Sequence, residues 1–216
     1  CTGRAPCHIY KEILDIGFDG IVSGAGAYIT IGDKVIFKRE IEPNQLNRII
    51  SAFLDNHKFC ILEGVQNLYI INPISDVKWL KHWPQLHNAD AFTSGKGKYE
   101  GQSVLKFTVR GEMLEDIKNE FVSDLNIIDH GHALEFVPMG VNKAEGMRRV
   151  LQEIGISRSD SIAFGDSPND IDMLKYAGLS VAMGQAPEHV RKAANLVTEP
   201  LSENGVAVAL ANLTYK

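Results

Sequence analysis

The sequence predicts an α/β protein: a parallel-sheet core built from both ends of the chain, with an α+β domain inserted between them. Three observations carry this. From residue 138 onward, short apolar strands alternate strictly with helices, the pattern of a parallel sheet covered on both faces. The block 43–137 has another character, with strands falling next to one another between helices. Finally, the apolar run Ser161-Ile162-Ala163-Phe164 ends directly in Gly165-Asp166-Ser167-Pro168-Asn169-Asp170. Parallel sheets bind ligands outside the carboxyl ends of their strands, which is where this acidic turn falls.

The elements follow in order. Over residues 5–16, Ile9, Ile13, Leu14 and Ile16 recur at helical spacing, Pro6 suits a first turn, and Gly17 ends the helix. Residues 18–22 form a short buried strand, and Ser23-Gly24-Ala25-Gly26 is a tight loop, either a plain turn or a substrate-lining one. Strands 28–31 and 35–38 flank Gly32-Asp33 as a hairpin. Pro43 then opens an amphipathic helix with Leu46, Ile49, Ile50, Phe53 and Leu54 on one side. Strands are predicted at 59–62, 68–71 and 104–109, and a strand pair at 127–129 and 133–137. Helices are predicted at 75–83, stopped by Pro84, and at 113–121. In the last third, helices fall at 143–154, from 171 to Gly178, at 187–194 and at 205–213. Strands fall at 161–164, 180–182 and 196–197. The core is therefore 1–42 with 138–216, and the insert is 43–137.

Composition excludes some classes of function. The 216 residues are 44% hydrophobic and 23% charged, ordinary for a soluble globular protein. A net charge of −5 argues against a nucleic-acid surface, and no apolar run is long enough for a membrane span. Cys1, Cys7 and Cys60 form no CxxC pair, so neither a zinc site nor a disulfide framework is suggested; a reducing cytoplasm is the expected setting.

Three places carry chemistry: Thr2 in Thr2-Gly3-Arg4, Lys143 at a helix start, and the turn from Asp166 to Asp170. Singly, each has an ordinary alternative. Thr2 fits a turn or a helix N-cap, Lys143 a solvated helix face, and Asp170 an N-cap. Together, the clustered oxygens of Asp166 and Asp170 suit a hard cation such as Mg²⁺, which is commonly shared with a phosphate.

The order hydroxyl, lysine, Gly-Asp-x-x-Asn-Asp resembles the haloacid dehalogenase superfamily and, within it, the Cof-like phosphatases. Thr2-Gly3-Arg4 is similar to the second family motif. Lys143, in Gly140-Val141-Asn142-Lys143-Ala144, is similar to the third, and Gly165 to Asp170 matches the fourth. The likeness continues through Met173-Leu174, Ala177-Gly178, Val181-Ala182-Met183-Gly184 and Asn204-Gly205-Val206-Ala207. It is close over the C-terminal third, loose over residues 1–40, and one of position and α+β type for the insert.

The resemblance implies a Rossmann-like core with an inserted cap that closes over the site and chooses the substrate. It implies a Mg²⁺-dependent phosphatase that hydrolyses small phosphorylated metabolites, such as sugar phosphates, through an aspartyl-phosphate. Asp166 is then a metal ligand, with Ser167 and Asp170 in the metal's surroundings. Lys143 faces the phosphoryl oxygens and the attacking carboxylate. Thr2 Oγ, the Gly3 N–H and the Asn169 amide bind phosphate. Two alternatives share this core: a catalytically inactive phosphate-binding module, and a phosphohexomutase that requires a bisphosphate activator.

Two departures accompany the likeness. The family's first motif, Asp-x-Asp, supplies nucleophile and general acid/base and should precede Thr2. Asp15 and Asp19 lie four apart, after the second motif, and do not replace it. A further strand–helix–strand of roughly 30 residues is expected upstream, and the 216 residues alone are expected to be inactive. The second departure is Ser23, where many relatives have Asn. In the insert, the candidate substrate contacts are His87, Asn88, Thr93, Ser94, Lys96, Lys98, His130 and His132. His130-Gly131-His132 without a third ligand is a weak metal pair, and loop histidines meeting substrate or solvent are the better expectation.

Overall fold

A computed structural model describes residues 1–72, 102–110 and 115–214. Two compact units make up the chain, Cys1–Val141 and Asn142–Lys216. The expected helix at 75–83 and the candidates His87, Asn88, Thr93, Ser94, Lys96 and Lys98 lie outside the described residues.

The first unit contains two antiparallel sheets. Strands β1 (Gly20–Ser23), β2 (Tyr28–Ile31) and β3 (Lys34–Lys38) form a meander whose second connection is the expected Gly32-Asp33 turn. The larger sheet has five strands: β4 (Cys60–Gly64), β5 (Leu68–Ile71), β6 (Val104–Arg110), β7 (Leu125–Asp129) and β8 (Ala133–Pro138). Their order is β5-β4-β6-β8-β7. Alternation along the strands gives this sheet two unlike faces. One is apolar: Leu62, Phe107 and Phe136 pack with Leu46, Ile49, Ile50 and Phe53 of α2 (Pro43–Asp55) and with Phe121 at the end of α3 (Glu115–Phe121). Phe107 and Phe136, cross-strand partners, stack with centroids 4.3 Å apart. Full burial of side chains this size stabilises by about 1.5–3 kcal/mol each. The opposite face takes Ala5 and Cys7 against Phe59, Ile61, Leu68 and Ile70, and carries Glu63, Lys106, Thr108 and Glu135.

The expected helix over 5–16 is broken. Pro6–His8 form a single 3₁₀ turn, Tyr10 is extended, and α1 is only Lys11–Leu14. Short helices depend on packing an apolar face. Here Ala5, Cys7 and Ile9 are buried, while Ile13, Leu14 and Ile16 are exposed. The strand expected at 18–22 begins later, as β1, and pairs antiparallel with β2.

The second unit has the expected parallel sheet. Strands β9 (Ile162–Gly165), β10 (Leu179–Ala182) and β11 (Leu196–Val197) run in the order β11-β10-β9, with Phe164 opposite Val181 and Val181 opposite Leu196. Helices α4 (Lys143–Ile154), α5 (Ile171–Tyr176), α6 (Glu188–Arg191) and α7 (Gly205–Thr214) alternate with the strands. Ala163, Met173, Leu174, Ala177, Ala186 and Val190 form its core. Helix α4 starts and stops on local chemistry. Asn142 Oδ1 caps the Glu145 N–H at 2.8 Å, and Gly155 takes the left-handed conformation at φ 70°. Helices α5 and α6 are shorter than the periodicity predicts, ending before Ala177 and Lys192.

Candidate active site

In the second unit the chain passes from β9 into a 3₁₀ turn, Pro168–Asp170, and on into α5. Asp170 organises this turn. Its Oδ2 accepts the backbone N–H groups of Asp166 and Ser167, each at 3.0 Å, and lies 3.0 Å from Ser167 Oγ. The Ser167 hydroxyl also reaches Asn169 Oδ1 at 2.6 Å, so one proton is shared between two acceptors. The other Asp170 oxygen, Oδ1, accepts from Lys143 Nζ at 2.5 Å. Both side chains are buried, and burial would push the Asp170 carboxyl up, but Lys143 and the two backbone donors hold it below the usual carboxylate range. Gly165 makes room for this packing, because a Cβ there would lie 2.6 Å from the Asp170 Cβ.

Asp166 is placed differently. It is exposed at the end of β9 and accepts a 3.2 Å hydrogen bond from Gln185 Nε2 on Oδ2. Lys143, Asp166, Ser167, Asn169 and Asp170 therefore share one site: a buried amine, a buried carboxylate that fixes the turn, and an exposed carboxylate able to bind a cation. Two of its supports were not read from the sequence as site residues. Gln185 lies in the β10–α6 connection, and Asn142 orients the first turn of the helix that carries Lys143. The Asn-x-x-Glu spacing at 142–145 is the signal that marks the second.

Thr2 and Gly3 belong to the first unit. The Thr2 N–H donates to Val22 O at 2.7 Å, and Gly24 donates to Arg4 O at 2.7 Å, which fastens the segment to β1 and its turn. Thr2 Oγ1 accepts from the Arg4 N–H at 3.2 Å. The Gly3 carbonyl accepts from Lys106 Nζ at 2.9 Å, a contact across 103 residues of sequence. Lys106, only 2% exposed, also lies 3.0 Å from Glu135 Oε1 and 3.3 Å from Glu63 Oε1. Burial opposes its charge, yet the two carboxylates raise its pKa above that of an ordinary lysine. Sequence reasoning passed over Glu63, Lys106 and Glu135. The available signal was a charged residue within or directly after each of three apolar runs. His130 and His132, which it did single out, lie with their rings 6.3 Å apart. Among the described residues no group of three or more His, Cys, Asp or Glu is placed to hold a metal ion. No helix among them is long and apolar enough to cross a membrane.

The sequence profile of the haloacid dehalogenase-like hydrolases matches residues 1–210. Two relatives carry the name "Putative phosphatase". One, YkrA of Bacillus subtilis (strain 168), is 25% identical over 231 aligned residues, covering 98% of this chain and 82% of its own. The other, from Haemophilus influenzae (strain ATCC 51907 / DSM 11121 / KW20 / Rd), is 41% identical over 190 residues, covering 81% of this chain and 68% of its own. The solved structure of the haloacid dehalogenase subclass IIB sugar phosphatase BT4131 superposes with a TM-score of 0.83 at 28% identity, covering 99% of this chain and 84% of its own. The chain therefore belongs to the haloacid dehalogenase-like hydrolase family, as one of its phosphoric monoester hydrolases.

Proposed function

We propose that the protein is a Mg²⁺-dependent cytoplasmic phosphatase that hydrolyses small phosphorylated metabolites through an aspartyl-phosphate, with residues 43–137 as the cap and the remainder as the core. The observation that carries this is the turn itself. A buried 2.5 Å Lys143–Asp170 pair fixes it, and Asp166 remains exposed at its tip.

The donor set suits Mg²⁺, which takes one or two carboxylates and keeps several waters. Asp166 supplies a hard, exposed oxygen. Ser167 lies beside it, and Asp170 engages both its oxygens with Lys143 and the turn. We therefore assign Asp166 to the metal and Asp170 to positioning it, with Ser167 at the margin. The bound ion would supply charge neutralisation at the phosphoryl oxygens.

The chain's own residues do the rest. Thr2 Oγ and the Gly3 N–H donate to the phosphoryl oxygens, joined by the Asn169 amide. Lys143 sets a compact positive charge against those oxygens and the attacking carboxylate. That carboxylate is assigned to the family's first motif, an Asp-x-Asp expected before Thr2. Its oxygen forms a bond to phosphorus as the ester oxygen leaves with a proton. Water then attacks the phosphorus of the acyl phosphate, freeing phosphate and regenerating the carboxylate. Preorganised donors and charges of this kind are the main source of rate in phosphoryl transfer.

Asp166→Ala tests the assignment. It should lower Mg²⁺-dependent phosphate release from an aryl phosphate by about a hundredfold or more, with the fold retained by circular dichroism. Unchanged release would defeat the metal assignment.

A further inference from the structure

Two short stretches of the sequence, Met183-Gly184 and Asn204-Gly205, take no part in the chemistry assigned to Lys143, Asp166 and Asp170. In the second unit both lie around one exposed side chain, Gln185, which follows β10 and ends on the Asp166 carboxylate. Gln185 Nε2 donates to Asp166 Oδ2 at 3.2 Å, and Gln185 Oε1 accepts the Leu201 N–H at 3.0 Å. A side-chain amide has one donor end and one acceptor end. With the acceptor end taken by a backbone N–H, the NH2 group is the end presented to Asp166.

The anchors of this amide are backbone, closely packed. The Met183 N–H donates to Gly165 O at 3.0 Å, which pins the β10–α6 connection to the residue before Asp166. Gly184 and Gly205 admit the neighbouring segment 198–201. A Cβ on Gly184 would lie 2.8 Å from Thr198 O and from Pro200 N, and one on Gly205 would collide with Glu199 O. Asn204 turns the chain in the left-handed conformation at φ 57°, and Thr198 Oγ1 donates to Gly205 O at 2.7 Å, which closes the loop. The Leu201 N–H is thus held by the backbone around it, since the Leu201 side chain is 73% exposed.

The two carboxylates of the turn have holders of different charge. Asp170 is held by an ammonium, Lys143 Nζ at 2.5 Å, which neutralises it. Asp166 is held by a neutral amide, which orients the group and leaves its negative charge for a cation. Oδ2 is engaged by Gln185, and Oδ1 accepts no hydrogen bond among the described residues.

We propose that Gln185 is a positioning residue for the metal site: anchored on the Leu201 N–H, it fixes the rotation of the Asp166 carboxylate and leaves Oδ1 as the oxygen that takes a divalent cation. This rests on the assignment of Asp166 to Mg²⁺. Partners that orient a metal ligand from behind commonly change metal affinity by about tenfold to a hundredfold.

The test is equilibrium binding of Mg²⁺ to the complete protein by titration calorimetry, without substrate, with Mn²⁺ followed by electron paramagnetic resonance as a second probe. Gln185→Leu keeps the bulk and removes both hydrogen bonds, so the Mg²⁺ dissociation constant should rise about tenfold. Gln185→Lys sets an ammonium against Asp166 and should raise it further, by about a hundredfold. Gln185 is exposed, so both variants should keep the wild-type thermal midpoint to within about 2 °C. In the metal-free protein, the Gln185 side-chain NH2 resonance should shift on Asp166→Ala. Wild-type Mg²⁺ affinity in Gln185→Leu, or a lowered thermal midpoint as its one change, overturns the proposal and leaves the Asp166 assignment standing. Wild-type Mg²⁺ affinity in Asp166→Ala overturns the parent assignment, and the role of Gln185 falls with it.

Discussion

The two units each bury a lysine against carboxylates, and they assemble these clusters in opposite ways. Lys143 begins a helix and meets Asp170, whose other partners lie three and four residues before it. Lys106 sits inside a strand and meets Glu63 and Glu135 from the two neighbouring strands, and Gly3 from the chain's start. The first cluster forms as one turn forms. The second exists only when the sheet is in register, with Glu63 opposite Lys106 and Thr108 opposite Glu135. A turn-built cluster suits a site whose atoms need fixed positions. A register-built cluster ties the Thr2–Arg4 segment to the sheet and makes that tie a test of correct pairing.

Truncation of each lysine probes this most strongly. Removing one partner of a buried ion pair costs about 3–5 kcal/mol, so Lys143→Ala and Lys106→Ala should both lower the urea midpoint. Lys106→Ala should fall further, because it leaves buried Glu63 and half-buried Glu135 facing each other rather than one carboxylate held by backbone donors. An equal or smaller loss for Lys106→Ala would break the distinction.

Acid gives a smaller, graded effect. Burial pushes the Glu135 carboxyl up, but Lys106 and His130 outweigh it and hold the group at about 2. Glu63 and Asp170 are also held below their ordinary values. A depressed carboxyl contributes stability above its unfolded pKa and loses it as pH falls through the folded one. Denaturation midpoints should therefore decline from just above pH 4.5 down toward about 2. Lys106, raised above 10.5, works with the opposite sign: its contribution is complete below that pH and is lost as pH rises through the folded value. Lys106→Met should flatten the acid limb; an unchanged limb would assign it to other carboxylates.

The smallest effect belongs to the local cluster's support. Asn142→Ala removes the cap of α4 and should cost about 1 kcal/mol, with a lowered kcat through a looser Lys143. A stability loss with kcat intact would separate the cap from the site.

The Asp166–Asp170 turn was legible because its geometry is short-range. Gly165 admits a close Asp170, the turn N–H groups reach a carboxylate three and four residues on, and the strand before it reads as an apolar run. The spacing in sequence is the spacing in space. The helix over 5–16 misled for the converse reason. Its apolar period was real, but Ala5, Cys7 and Ile9 are buried while Ile13, Leu14 and Ile16 remain exposed.

The sequence by itself determined the α/β class, the alternating second unit with its parallel sheet, and the grouping of Lys143 with Asp166 and Asp170, since local periodicity and turn chemistry encode these. Only the tertiary structure decided that Glu63, Lys106 and Glu135 meet beside Gly3. Strand order and register bring together residues far apart in the chain, and no pattern along a single strand records which neighbour it will have.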